Sequence, residues 1–216
     1  FRTSYTDGRG NTTLTCFDVS YSGTATGSRG NLTRVIQASP TTGAAKPTTL
    51  MLYDSKNNIT QVVPPKGVTS SSTTTCSTNL SASVNANYAT SYVFDAGQVL
   101  LLSETSSYTD PELGLKTAVT KYEYADSLNP GSRTKLIPPR GNTTGTPDYT
   151  YATTYSYGAS GSQAGMLVQE TSPLGAIKTY QYDTVGRLTS SVGPQGYVAG
   201  ANPAHFTWEY VYDNED

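Results

Sequence analysis

"AIKTYQYDTVGRLTSSVGPQG", residues 176–196, alternates, turns, alternates again and closes on Pro-x-Gly. Thr179, Gln181 and Asp183 share one parity, and Tyr180 and Tyr182 the other. An extended strand puts those two sets on opposite faces. Asp183-Thr184-Val185-Gly186 then reads as a tight turn. Its aspartate is placed to accept from backbone N–H groups two or three residues on, and Gly186 to take the positive φ that often follows a type I turn. From Arg187 to Val192 the chain is extended again and is set to pair back as a hairpin. Pro194 fixes φ at the next reversal, which Gly196 completes.

The same order of parts recurs, with dilution, along the chain. "TLTCFD" (13–18) joins "RGNLTRVIQASP" (29–40), and "TTLMLYDSKNNITQVVPPKG" covers 48–67. "TSYVFDAGQVLLLSE" covers 90–104, "VTKYEYADSLNPGSRTKLIPPRG" 119–141 and "YATTYSYGASGSQAGMLVQETSPLG" 151–175, and "TWEYVYD" opens a last copy at 207. The aromatic anchors are Phe17, Tyr53, Phe94, Tyr124, Tyr157, Tyr182 and Tyr212. Their spacing runs from 25 residues (Tyr157 to Tyr182) to 41 (Tyr53 to Phe94), so the extra length belongs in loops. Loop insertions are expected at 68–87, a Ser/Thr/Asn tract that can bury little apolar area, and at 105–117, 142–148 and 197–204. Pro64-Pro65-Lys66-Gly67, Pro138-Pro139-Arg140-Gly141 and Pro173-Leu174-Gly175 read as one reversal device. No window sustains a helical apolar stripe for three turns, and Gly or Pro interrupts nearly all of them. The expectation is an all-β chain of tandem hairpins: one array over 1–216, about six or seven degenerate units, each two strands and two turns.

Composition narrows the function. Of 216 residues, 14 are basic and 16 acidic, and a net charge of −2 offers no basic face for nucleic acid. Tyr outnumbers Phe by 17 to 4, which suits half-buried pleated surfaces whose ring hydroxyls still need partners. No apolar run approaches the roughly 18 residues of a membrane-spanning helix. Cys16 and Cys76 stand 60 residues apart, a spacing that leaves a disulfide and two separate thiols both open. With one His and no CxxC, a zinc site is not expected. Sequons at Asn11, Asn31, Asn58, Asn79 and Asn142 are consistent with secretion without demonstrating it. The opening at Phe1 and the stop after "YVYDNED" read as a piece of a larger protein.

"YQYDTVGRLTSSVGPQG" resembles the Tyr-Asp repeat that defines the Rhs and YD-repeat proteins, a family that includes bacterial polymorphic toxins, wall-associated proteins, the C-component of insecticidal toxin complexes, and teneurins. Tyr53-Asp54 followed by "NNITQVVPPKG" is its nearest echo. Tyr157 is followed by Gly158 where the pattern has Asp, and Tyr124 by Ala125 with Asp126 one place late. The resemblance implies a long antiparallel β-sheet that curls or spirals, solenoid-like, into a hollow shell, of which this chain is a non-catalytic wall segment, secreted or at the cell surface. The partners it implies are the remainder of the parent shell and an enclosed C-terminal polypeptide.

The couplet acids Asp18, Asp54, Asp95, Asp183 and Asp213 recur at equivalent positions, whereas an active site needs one constellation of unlike residues. They read as turn caps, and Gly186 and Arg187 as parts of the same corner. No D-x-D-x-D segment suggests calcium. His205 has no nucleophile or second base beside it, and Asp110-Pro111 reads as loop chemistry. Hence no catalytic, cofactor or metal residue is expected, nor an enzyme. Two alternatives stay open: a glycan-binding module, in which Trp208 offers a stacking face, and a fibre subunit that associates edge to edge.

Overall fold

The structure, a computed structural model, describes residues 4–18, 30–39, 45–68, 76, 84–143 and 145–213. The chain forms two compact units, Phe1–Ala118 and Val119–Asp216. The first holds β1 (Ser4–Thr6), β2 (Thr12–Phe17), β3 (Leu32–Ile36), β4 (Thr48–Tyr53), β5 (Ile59–Val63), β6 (Thr90–Phe94), β7 (Leu101–Asp110) and the first half of β8 (Gly114–Glu123). The second holds the rest of β8, then β9 (Lys135–Ile137), β10 (Thr153–Tyr157), β11 (Leu167–Thr171), β12 (Ile177–Tyr182), β13 (Leu188–Val192) and β14 (Thr207–Glu209). Within each unit strand order is chain order. The helical segments among the described residues are 3-10 turns of three or four residues. The protein is all-β and built hairpin by hairpin, as the alternation in its sequence requires.

The couplet hairpins share one register. Each anchor aromatic pairs with the first residue of its return strand across a one-residue bulge: Phe17 with Leu32, Tyr53 with Ile59, Phe94 with Leu101, Tyr157 with Leu167, Tyr182 with Leu188. Three of these hairpins turn through a type I turn closed by a residue at positive φ. Gly186 holds that residue's place at φ +87°, Asn57 at +71° and Gln98 at +56°. Gly10 does the same at +83° in the β1–β2 hairpin, a copy that sequence reading passed over.

In the first unit the core is centred on one row across four strands, with Ile36 buried beside it. Cys16 pairs Arg34, Arg34 pairs Leu50 and Leu50 pairs Val63, and all four are at most 1% exposed. Ala89 closes this row, with Val68 and Val84 packed against it. A disulfide joins Cys16 to Cys76, 60 residues on, which on the chain-entropy account stabilises the fold by about 4 kcal/mol. In the second unit the most buried apolar side chain is Ile137, with no exposed surface, at the end of β9.

Three expectations change. Residues 105–117 are not a loop: they belong to β7, β8 and the three-residue turn between them. This stretch extends beyond Ser106, the last β7 residue paired with β6, so its side chains show no burial pattern from which a strand can be read. Within 68–87, Val68 bridges Val84 and Ala86–Tyr88 is a 3-10 turn, while most of the remainder lies outside the described residues. Pro173-Leu174-Gly175 is a different device from the other Pro-x-Gly stretches. It is the tight turn of the β11–β12 hairpin, closed by Ser172 N–H donating to Ala176 O, with Gly175 at φ +77°. Pro65–Gly67, Pro139–Asn142 and Pro194–Tyr197 instead begin 3-10 turns.

Candidate functional site

Three small polar devices recur, and together they hold many of the couplet residues. The first is the corner. Asp183 Oδ1 accepts from the backbone N–H groups of Val185 and Arg187, and Arg187 Nε donates to its Oδ2 at 2.8 Å. Asp54 accepts from Lys56 N–H, Asn58 N–H and the Asn58 side-chain amide. Asp95 accepts from Gly97, Val99 and Leu100, and Asp18 from Gly30 and Asn31. Asp126, one place late, still reaches Leu128 and Asn129, and Asp7 serves the β1–β2 turn through Arg9 and Asn11. Where Gly158 replaces the acid, its own N–H donates to Met166 O.

Hydrogen bonds to the charged form hold the carboxyls of Asp183, Asp95, Asp126 and Asp7 below the ordinary aspartate range. The leading partner is the Arg187 side chain for Asp183, the Leu100 N–H for Asp95, the Asn129 amide for Asp126 and the Asn11 amide for Asp7. Such acids are pinned in their anionic form. A general acid needs the opposite shift.

The second device is a strap between hairpins. Tyr53 Oη donates to Leu32 O, Tyr157 Oη to Arg133 O, Tyr182 Oη to Leu167 O and Tyr212 Oη to Leu188 O, at 2.7–2.9 Å. Leu32, Leu167 and Leu188 each open the return strand of the preceding hairpin, so Tyr53, Tyr182 and Tyr212 each reach back to the hairpin before. Burial raises the hydroxyl pKa of Tyr53, Tyr157 and Tyr182, which keeps them donors. Phe94 has no hydroxyl. Beside it the Asn58 amide donates to Gln98 O at 2.6 Å, and Ser55 Oγ to Gln98 Oε1 at 2.9 Å. Tyr124 directly follows β8 and keeps interactions of its own.

The third is a neck, which sequence reading missed. Each Pro-x-Gly turn docks on a second 3-10 turn capped by Asn or Asp. Asn85 Oδ1 accepts from Asn87 N–H, Asp148 Oδ1 from Thr150 N–H and Asn202 Oδ1 from Ala204 N–H. Asn85 N–H donates to Gly67 O, and Asp148 N–H to Gly141 O. A Cβ on Gly67 would lie 2.8 Å from Val63 Cγ1, on Gly141 2.9 Å from Asp148 O, and on Gly196 2.8 Å from Val192 Cγ1. Lys66 stacks over Tyr88 and Arg140 over Tyr151, each 4.7 Å from the ring centre. In the first two necks the sequence signal was Asx-x-x-Tyr (Asn85 to Tyr88, Asp148 to Tyr151), hidden by the variable length before it; after Asn202 the aromatic, Phe206, comes one place later.

The remaining candidates do not converge. His205 is exposed in the 3-10 turn Pro203–Phe206. Asp110 accepts from Glu112 and Leu113 in the β7–β8 turn. Shallow depressions of about 350 Å³ (Leu174, Ile177, Pro194, Tyr197, Val198) and about 390 Å³ (Asn57, Asn58, Ile59, Tyr92, Phe94) contain neither acid nor imidazole. Among the described residues no three metal-ligating side chains cluster, and no helix is long and apolar enough to cross a membrane. Trp208 is 69% exposed on β14, opposite Ser191, with Tyr210 45% exposed two residues on. Of the sequons, the side-chain amides of Asn11, Asn31, Asn58 and Asn142 all donate within the fold, Asn142 to three carbonyls. Asn79 lies outside the described residues.

Comparison with known proteins locates the pattern. The model of the RHS Repeat matches residues 162–198, which run through β11, β12, β13 and the Pro194 turn. No curated protein matches the chain significantly. Among solved structures, TcdB2-TccC3-Cdc42 aligns at 14% identity and TM-score 0.40, covering 88% of this chain and 10% of that one. TcdB2-TccC3-TEV aligns at 12% and 0.42, covering 93% and 10%. The Photorhabdus luminescens Tc holotoxin pore aligns at 14% and 0.24, covering 88% and 12%. The chain thus spans about a tenth of the length of the solved chains it matches.

Proposed function

We propose that this chain, whose residues 162–198 match the RHS Repeat, is a non-catalytic wall segment of a secreted YD-repeat β-shell, one that encloses a polypeptide carried by the same parent. One observation carries this reading: the couplet residues are spent on construction. The aspartates are bonded into their own corners, and the tyrosines bond to the neighbouring hairpin. A residue so engaged is not available to a substrate. The Cys16–Cys76 disulfide supports secretion, since such bonds persist in oxidising compartments. Negative-stain electron microscopy of the full-length parent tests the proposal. We expect a hollow particle with density inside it; a solid globule or an extended rod sinks the idea.

A second reading is favoured by Trp208 on β14 and Tyr210 just past its end, two exposed aromatics two residues apart. In it, this edge stacks on sugar rings. A glycan array run with the intact chain and with Trp208→Ala separates the two: signal lost in the variant supports binding, and silence with the intact chain removes it.

A further inference from the structure

The buried row of the first unit is pinned from above at both ends. At one end, Val68 and Val84, the bridged base of the insertion, pack on Leu50, Val63 and Ala89. At the other, Cys76, midway between those two valines in sequence, is bonded to Cys16. Between them lies Arg34, 1% exposed, its pKa lowered by burial. From β2 to β5 is three strand spacings, roughly 14 Å, and the eight residues from Val68 to Cys76 reach that far with slack. The bond fixes the insertion's midpoint at the Cys16 end of the row. The second unit has no counterpart, because both cysteines of the chain lie before residue 119.

We propose that Cys16–Cys76 is a redox-sensitive staple: the N-terminal unit keeps its buried row closed only while oxidised, and the C-terminal unit is indifferent to redox state. The chain would thus loosen from one end on passing into a reducing compartment. A small dithiol supplies the two electrons and two protons. Its thiolate attacks Cys76 Sγ, the half-buried sulfur, because Cys16 is 1% exposed. The Cys16–Cys76 bond breaks, and Cys16 leaves as a thiolate that takes a proton. The second thiol of the reductant then attacks the mixed disulfide, closes the reductant's own disulfide and releases Cys76 as a thiol.

The test is hydrogen exchange on the intact chain with and without dithiothreitol, read alongside emission from Trp208, the single tryptophan, which reports on the second unit alone. On reduction we expect amide exchange in β2 and β3 to accelerate at least tenfold, with β12, β13 and Trp208 emission unchanged. Cys76→Ser, which spares the buried Cys16, should show the fast exchange without reductant and gain nothing from it. Equal acceleration in both units overturns the proposal. So does unchanged exchange in β2 and β3, a Cys76→Ser chain that still responds to dithiothreitol, or a non-reducing peptide map that finds both thiols free.

Discussion

Asn57 and Gln98 show how far a side chain can be pushed by the turn that it closes. Both occupy the corner position that Gly10 and Gly186 fill elsewhere, at φ +71° and +56°. A Cβ in that region is costly, by roughly 1–2 kcal/mol for most residues and less for Asn. Gln98→Gly should therefore stabilise the chain by about 1 kcal/mol and Asn57→Gly by less. Urea midpoints measure this, and a lower midpoint for Gln98→Gly would refute it. The acid of the corner predicts a pH profile. Its pKa is depressed in the fold, so its contribution is complete above the unfolded value of about 3.9 and is lost as pH falls through the folded one. Asp183→Asn should thus cost stability at pH 7 and converge on the parent chain near pH 2, as thermal melts across that range would show. The acid's place was legible, because turn capping is local chemistry written within five residues. The tyrosine's bond was not, because its acceptor belongs to another hairpin.

At the scale of the element, the neck is decided by absence of a side chain. Gly67, Gly141 and Gly196 sit where a methyl group would meet a strand residue or a backbone oxygen below 3 Å. Gly141→Ala should cost about 1–3 kcal/mol by overpacking, because Asp148 O is backbone and cannot step aside. Gly131→Ala, which meets nothing within 4 Å, should be close to neutral. Denaturant midpoints of the two variants decide between them. Sequence reading found only the first half of each neck, Pro-x-Gly, and for that reason grouped Pro173-Leu174-Gly175 with it. What distinguishes them is the docking partner, Asn85, Asp148 or Asn202, and the chain between the halves varies too much for a fixed spacing to reveal it. The β7–β8 ribbon was misread for the opposite reason: a two-stranded arm has no neighbour to impose an alternation of buried and exposed residues.

For the whole molecule, corners and straps set opposite pH limits. Strap hydroxyls of raised pKa contribute fully below the unfolded tyrosine value of about 10, and that contribution is lost as pH rises through the folded value. Stability should therefore hold level from about pH 5 to 9 and fall on both sides. Tyr182→Phe should lower the plateau by about 1 kcal/mol and soften its alkaline edge only. A variant that softened the acid edge instead would contradict the strap. All-β architecture was fully legible, since alternation and turn residues agree along the chain. The two-unit division was not, since no composition change marks residue 118.

The neck separates the geometry of the array from the length of its loops. Gly67 and Asn85 meet with 17 residues between them, Gly141 and Asp148 with six. Both return the chain to the next strand through the same pair of turns. A peptide grafted there should be carried as cargo on the outside of a closed clasp, leaving strand pairing undisturbed. Natural lengthening and shortening of this chain have the same three ports open to them.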